Sequence, residues 1–316
     1  MSSSPSPLPS ALSNQNYVTV SSIAGGFITL PDNFFVHPAD PGAKRTVPSL
    51  TFLVTHPNPP STSQYQLNQD GKPFHLMFDL GLRKSPSAYP QVLQNHLASR
   101  KPFNLEPGVA AQLQAGGLPP SSIDLVILSH VHYDHHGDPE DFPQAQFRIG
   151  YGAADVLAHG LGGTASHQHF EPDTLPPDRT AEFSNPSDKN SKDWKPLGPF
   201  PAALDLFNDS SVYVIDTPGH LPGHVNLLCR TKDRWIMLCG DAFHDRRLLT
   251  GEKEIGTWEN GDGHMLCIHV DKEKAAESIK RLREFDQVMG EECELIAAHE
   301  EVWWERNRER QFPGVI

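Results

Sequence analysis

Cysteine is scarce in this chain, with four residues in 316, and no two of them form a CxxC pair. That absence argues against a zinc cage built on sulfur. Cys229, Cys239, Cys267 and Cys293 read as buried free thiols, the first two within apolar runs, and unpaired thiols suit a reducing compartment. Also missing is any apolar run approaching the roughly 20 residues of a transmembrane helix. The N-terminal MSSSPSPLPSALSNQN has neither the basic nor the apolar segment of a signal peptide. The chain therefore reads as cytoplasmic, with no membrane partner. Positive charge is short as well: 26 Lys and Arg against 39 Asp and Glu give a formal charge of −13, without a dense basic run. Binding a polyanion needs a basic face, so no nucleic-acid partner is expected.

Proline, by contrast, is plentiful at 29 residues, which predicts many irregular loops. Residues 1–16 read as a flexible Ser/Pro-rich tail, and 17–316 as one domain. Strands are expected at Tyr17–Ile23, Phe27–Leu30, Ser49–Thr55 and Phe74–Leu80. A polar loop, 56–73, separates the last two. Spaced apolar residues predict helices over 88–97 and 107–115. The nearly continuous apolar run Ile123–Leu128 marks a strand buried on both faces. Residues 152–210 are the least regular stretch, yet they hold Phe170, Phe183, Trp194, Phe200 and Phe207. Aromatics in a long loop suggest a functional role, and the expectation is a lid over the site. Beyond it, Val212–Ile215 is a strand, Val225–Cys229 and Trp235–Cys239 a hairpin, 271–288 a helix and Glu294–Ala297 a last core strand.

The strongest chemical signal is His130-Val131-His132-Tyr133-Asp134-His135, directly after the strand LVILS. Imidazoles and a carboxylate suit borderline divalent cations such as zinc. Nitrogen and oxygen donors without sulfur favour a catalytic centre over a structural one. Three further strands end in the same residue types: VYVI runs into Asp216-Thr217-Pro218-Gly219-His220, WIMLC into Gly240-Asp241, and ELIAA into His299. Strand ends of one sheet lie along one edge, so these donors are able to converge.

His130-x-His132-x-Asp134-His135, followed by TPGH, by Gly-Asp after a strand and by a late strand-end His, resembles the metallo-β-lactamase superfamily from about Ser49 to His299. The resemblance implies an α+β, αββα sandwich: two packed mixed sheets flanked by helices, with a metal centre at one edge. It assigns His130, His132 and His220 to a first metal ion, Asp134, His135 and His299 to a second, and Asp241 to both, with a hydroxide between them. Asp79 in FDLG resembles the family's early support for the metal loop. Two divalent ions are implied, zinc by default, with iron, manganese or cobalt able to use the same donors. TPGHLPGH resembles the lactonase and glyoxalase II-like branches. In related lactonases a tyrosine stands three residues after the bridging Asp; this chain has His244 there.

The reading is thus hydrolysis of a lactone or small ester, such as an acyl-homoserine lactone. Asp134 and His244 are candidates for proton handling, and Tyr133 and His244 for the substrate pocket. A thioesterase using the same centre is the nearest alternative, and a non-catalytic metal-binding module the next. The partner is a small ester, lactone or thioester, and the chain is a monomer or homodimer. Other polar residues read as bland. His224 is a structural hydrogen-bonding group, and His136 points away. His167-Gln168-His169 forms a solvated loop. His264 and His269 lie at the surface, Tyr151 and Trp258 serve packing, and Glu300-Glu301 starts a solvated helix.

Overall fold

The computed structural model describes residues 8–60, 72–161 and 169–316. Residues 61–71 of the expected polar loop, His167 and Gln168 lie outside that range, as do residues 1–7 of the expected tail. Among the described residues there are two six-stranded mixed sheets. The first runs in the order β1 (Thr19–Pro31), β3 (Lys44–His56), β4 (Phe74–Phe78), β5 (Leu125–Ile127), β6 (Gln146–Ile149), β7 (Thr180–Glu182). The second runs β16 (Cys293–Ile296), β12 (Trp235–Leu238), β11 (Val225–Arg230), β10 (Val212–Asp216), β9 (Phe200–Asp205), β8 (Trp194–Leu197). Two small pairs, β2 (Val36–His37) with β13 (Glu254–Ile255) and β14 (Thr257–Glu259) with β15 (Met265–Cys267), complete the strands.

Continuous apolar strands have a direct cause here, because both of their faces are covered. Phe52 and Val54 of β3, Leu76 and Phe78 of β4, and Leu125 and Ile127 of β5 point into the core between the sheets. They meet Val214, Leu227, Ile236 and Leu238. The alternate residues Leu53, Met77 and Val126 face outward onto α2 (Val109–Ala115) and α3 (Ala153–His159), with Val109, Leu113 and Val156 among the contacts. On the other side, Met237 and Leu295 meet Ala275, Ile279, Leu282 and Phe285 of α5 (Lys272–Met289). Helix α1 (Gln91–Ala98) adds Leu93 and Leu97 to the same cluster. Each large side chain buried this way contributes roughly 1.5–3 kcal/mol, so the period-2 alternation fixes which face meets which layer. This is the sandwich flanked by helices that the resemblance implied.

Several expectations change in detail. Tyr17–Ile23 and Phe27–Leu30 are one strand, β1, whose register against β3 shifts between Ala24 and Phe27. The two glycines there form a bulge and do not break the strand. The 152–210 stretch is more regular than its composition suggests: it holds α3 and β7, and the β8–β9 pair forms the outer edge of the second sheet. Its aromatics are drawn into packing, Phe183 and Phe207 between the sheets and Phe200 against Phe285. At the C-terminus, α6 (Glu301–Arg306) lies on the body of the fold, Trp303 against Phe52 and Trp304 against Phe27. Residues 8–16 also rest on the body: Leu8 is buried, and Arg230 Nη2 donates to the Pro9 carbonyl at 2.6 Å. Among the described residues no helix is long and apolar enough to cross a membrane.

Candidate metal centre

Both sheets end their strands at one edge, and the loops beyond carry the polar residues. The loop after β5 begins at Ser129 and contains His130–His135. It is held by Asp79, which follows β4 with the left-handed φ of 62° that Asp tolerates better than most residues. The Asp79 carboxylate accepts from Ser129 N at 2.6 Å, Ser129 Oγ at 2.8 Å and His135 Nδ1 at 2.9 Å. From the second sheet, β10 leads to His220 through Gly219, at φ 133°. A side chain at Gly219 would collide with the Ala275 backbone nitrogen, so glycine lets the N-terminus of α5 close over this loop. Asp241 follows β12, and His299 follows β16.

These segments bring the expected donors into two adjoining groups. Donor atoms of His130, His132, His220 and Asp241 lie within 4.8 Å of one another, and so do those of Asp134, His135 and His299. Between the groups stands Asp241. Its Oδ2 is 3.3 Å from His220 Nε2 and 3.7 Å from His130 Nε2. Its Oδ1 is 3.3 Å from His299 Nε2 and 3.4 Å from His135 Nε2. All seven side chains are buried.

The imidazoles face one another in a way that hydrogen bonding cannot satisfy. His130 Nε2 is 2.8 Å from His132 Nδ1, and His220 Nε2 is 3.2 Å from the first and 3.0 Å from the second. A neutral imidazole carries one N–H, and two of the outer nitrogens have partners of their own. His130 Nδ1 meets Ser129 Oγ at 3.0 Å and His220 Nδ1 meets His269 Nδ1 at 3.3 Å. Because Ser129 Oγ donates to Asp79, His130 Nδ1 is the donor and its Nε2 turns a lone pair inward; three ring nitrogens thus converge on one point more closely than their N–H groups can satisfy. Tetrahedral zinc with bonds near 2.0–2.1 Å would set its nitrogens roughly 3.3 Å apart, close to the spacing seen. Protonation is no remedy: burial pushes His130 and His220 well below the usual histidine value and His132 down to about 3. On the other side, His135 Nε2 and Asp241 Oδ1 are buried without a hydrogen-bond partner among the described residues. They face each other at 3.4 Å as a loosely met ion pair, an arrangement that is costly when buried, and a cation between them would remove the cost. The donor set therefore fits divalent cations.

Outer contacts fix which nitrogen points inward, as is usual around metal ligands. His299 Nδ1 donates to the Pro48 carbonyl at 2.7 Å, leaving Nε2 to face Asp134 and Asp241. The Ser49 hydroxyl donates to the Asp134 carbonyl. His224 serves Asp241 through its backbone. Thr217 Oγ1 donates to Asn226 Oδ1 at 2.9 Å and so accepts from His224 Nδ1 at 2.9 Å. That leaves His224 Nε2 to accept from Asp241 N at 3.0 Å. Burial pushes the Asp241 carboxyl up, but His299, His135 and His244 outweigh it and hold it well below the usual carboxylate range. Burial also opposes a charge on His135, yet Asp241 and Asp79 raise it well above the usual histidine value. Loading a cation there must displace a proton.

His244 lies beside Asp241, its Nε2 3.0 Å from Oδ2, stacked between Phe35 and His299 at 5.6 and 5.7 Å. It also lines a cavity of about 280 Å³ together with Tyr133, Asp134, Asp241 and His299. The apolar wall comes from Ile28, Leu30, Phe34, Trp258, Leu266 and Ile268, and a polar corner from His96 and Arg100. Sequence reasoning missed part of this set. Trp258 is a cavity wall, stacked on Phe34 at 4.1 Å. His269 is no surface residue: it is 2% exposed and behind His220. Its place after Gly261-Asp262-Gly263 suggested a loop, and only the fold carries it inward. Glu300 is not solvated either. It pairs with Arg246 at 2.8 Å and accepts from Ala297 N. Phe170, from the stretch expected to cover the site, stacks on His132 at 5.7 Å.

Known proteins resemble this chain in sequence and in fold. The sequence model of the metallo-beta-lactamase superfamily matches residues 97–289, more than half of the chain. Among curated relatives, the cytochrome P450 monooxygenase mpaDE' of Penicillium brevicompactum is 24% identical over 88% of this chain and 32% of its own length. The gamma-lactamase FDB1 of Fusarium pseudograminearum is 28% identical over 68% of this chain and 50% of its own length. For the gamma-lactamase MBL2 of Gibberella moniliformis the figures are 30%, 54% and 70%. The chain thus spans about a third or less of the length of the first relatives it matches. In structure it resembles an N-acyl homoserine lactone hydrolase with the product N-hexanoyl-L-homoserine at its catalytic metal center. The TM-score is 0.65 at 19% identity, covering 94% of this chain and 98% of that one. At that identity the likeness speaks for the fold alone. Taken with the family match, it establishes that this chain belongs to the metallo-beta-lactamase superfamily.

Proposed function

We propose that the chain is a metal-dependent hydrolase that opens a lactone or cleaves a small carboxylic ester. One observation carries the reading: three buried imidazole nitrogens converge within 3.2 Å of one another, beside a carboxylate oxygen without a hydrogen-bond partner among the described residues, on the floor of an apolar-walled cavity. In this reading His130, His132 and His220 hold one divalent cation, Asp134, His135 and His299 a second, and Asp241 both. Zinc is the expected metal, and iron, manganese or cobalt would accept the same donors. Such a pair supplies a water acidic enough to attack at neutral pH, and positive charge for the carbonyl and leaving oxygens.

The protein's own groups do the rest. Asp79, Pro48 and Ser129 orient the imidazoles, and His224 anchors Asp241. His244 donates to one Asp241 oxygen through Nε2, and its Nδ1, without a partner among the described residues, is the nitrogen that would take up the proton released by the attacking water and pass it to a leaving alkoxide. Tyr133 and the Phe34–Trp258 wall exclude water from the substrate's apolar part. A second reading is favoured by the gamma-lactamase relatives at 28–30% identity: the ring opened is a lactam, with an amine as leaving group.

Asp241→Ala removes the shared carboxylate and is expected to abolish turnover and bound metal together. The measurements are elemental analysis and a substrate panel of lactones, lactams and acyl thioesters. Full turnover by an Asp241→Ala protein that holds no metal would sink the reading. Thioesters cleaved in preference to the rest would move it to the glyoxalase II-like branch.

A further inference from the structure

The polar corner of the cavity has no part in the centre just described. Arg100 follows α1 and is tied to β1, its carbonyl accepting from Thr29 N at 2.9 Å. Its guanidinium lies over the Phe34 ring, 5.2 Å from the centroid, and hydrogen-bonds to the Tyr133 side chain, which lines the same cavity. Phe34 stacks in turn on Trp258, ring centroids 4.1 Å apart. Arginines near this end of the fold are otherwise paired: Arg45 with Asp32, Asp245 and Glu301, Arg246 with Glu300, Arg247 with Asp245. Among the described residues Arg100 has no carboxylate within 4.0 Å, and its Nε is buried without an acceptor. In a chain of net charge −13, this is an arginine at the cavity wall with a buried N–H that no acid among the described residues takes up.

We propose that Arg100 recognises a carboxylate on the substrate, away from the carbonyl that is attacked, so that the substrate class is a planar or apolar lactone, ester or lactam bearing a free acid. This rests on the hydrolase reading above. A guanidinium seated over an aromatic ring, with one hydrogen bond to Tyr133, still has N–H groups left for bidentate pairing with a carboxylate. The adjoining Phe34–Trp258 wall offers a stacking face for the rest of the molecule. The negative field of the whole protein gives an anion no long-range attraction, so selection must come from this local contact.

The test compares an aryl ester carrying a ring carboxylate with its carboxamide isostere, using metal-loaded protein and kcat/KM as readout. Wild type is expected to favour the carboxylate. Arg100→Gln is expected to lower the ratio of the two kcat/KM values roughly 10- to 100-fold, the weight of a charge-assisted hydrogen bond. Arg100→Lys, which keeps the charge, should recover part of it. Equilibrium binding of benzoate to wild type and to both variants supplies a readout that needs no turnover. Arg100-dependent benzoate binding without hydrolysis of either ester would leave the anion site standing and remove the hydrolase reading. An unchanged ratio, whether both rates hold or both fall equally, overturns the proposal, as does undiminished benzoate affinity in both variants.

Discussion

Two buried histidine–aspartate clusters lie at opposite ends of strand β3, and they are wired in opposite ways. At one end Ser49 and Pro48 support the candidate metal centre. Seven residues on, about 23 Å at the rise of an extended chain, His56 joins Asp209 from the turn between β9 and β10. There every polar atom has a partner. His56 Nε2 donates to Asp209 Oδ2 at 2.9 Å, and its Nδ1 accepts from Asn58 N at 3.1 Å. Asp209 Oδ1 accepts from Ser211 N and Oγ, and Asn16 donates to Oδ2. At the other end three imidazole nitrogens crowd together more closely than their N–H groups can satisfy, and Asp241 Oδ1 has no hydrogen-bond partner among the described residues. The same two residue types thus make a closed protein–protein network in one place and an open one in the other. An open buried network is tolerable only when something else completes it.

Removing that completing group is the sharpest way to break the comparison. Dialysis of metal-loaded protein against a strong chelator is expected to lower stability by about 3 kcal/mol or more, the linkage expected for metal present at a hundredfold its dissociation constant. Thermal unfolding with and without chelator measures it. An identical melting temperature in both would mean that the open cluster is stable by itself. Next in size comes Asp79→Asn. It keeps the shape but weakens the support of Ser129 and His135, and such outer contacts are worth roughly 10- to 100-fold in metal affinity. Competition with a chromogenic chelator reads the change, and unaltered affinity would show that Asp79 only shapes the backbone.

Much of this contrast was legible in the sequence because strand patterning and donor placement coincide. Each apolar run had to be a strand covered on both faces, and the residue ending each run fell on the same edge of the sandwich. The closed cluster was not legible. His56 sits in a Pro-rich stretch, and Asp209 lies 153 residues away in sequence; no local pattern pairs them. The same limit hid Arg100, Trp258 and His269, whose roles come from tertiary contact with no period behind it. Composition misjudged residues 152–210 for a related reason. A Pro- and Gly-rich segment gains strand structure when an existing sheet edge offers hydrogen bonds, as β10 does for β9.

Asp209→Asn tests the closed side. Burial raises the Asp209 carboxyl, but hydrogen bonds from His56 and Ser211 prevail and hold it below the usual carboxylate value. A depressed folded pKa means that the stabilisation is present above the unfolded value, near 3.9, and is lost as pH falls through the lower folded one. The variant is expected to lose about 1–2 kcal/mol at pH 7, with the deficit shrinking below about pH 4, and to bind metal as wild type does. Denaturant titration with elemental analysis checks both. Reduced metal content would mean that the two ends of β3 are coupled.

Asp216 has neither arrangement and gives the smallest effect. It closes β10 one residue before Thr217, between the two clusters, and no side-chain hydrogen bond supports it among the described residues. Burial pushes its carboxyl up to about 6, with Arg281 pulling the other way. A folded pKa above the unfolded one reverses the sign found at Asp209: the favourable contribution is complete below about pH 4 and is lost as pH rises through about 6. Asp216→Asn removes a charge the fold disfavours, so it is expected to stabilise by about 1 kcal/mol at pH 8 and by nothing measurable near pH 4. Melting curves at the two pH values decide it. An equal shift at both would show that the amide gains a new contact, and that the buried charge itself costs the fold little.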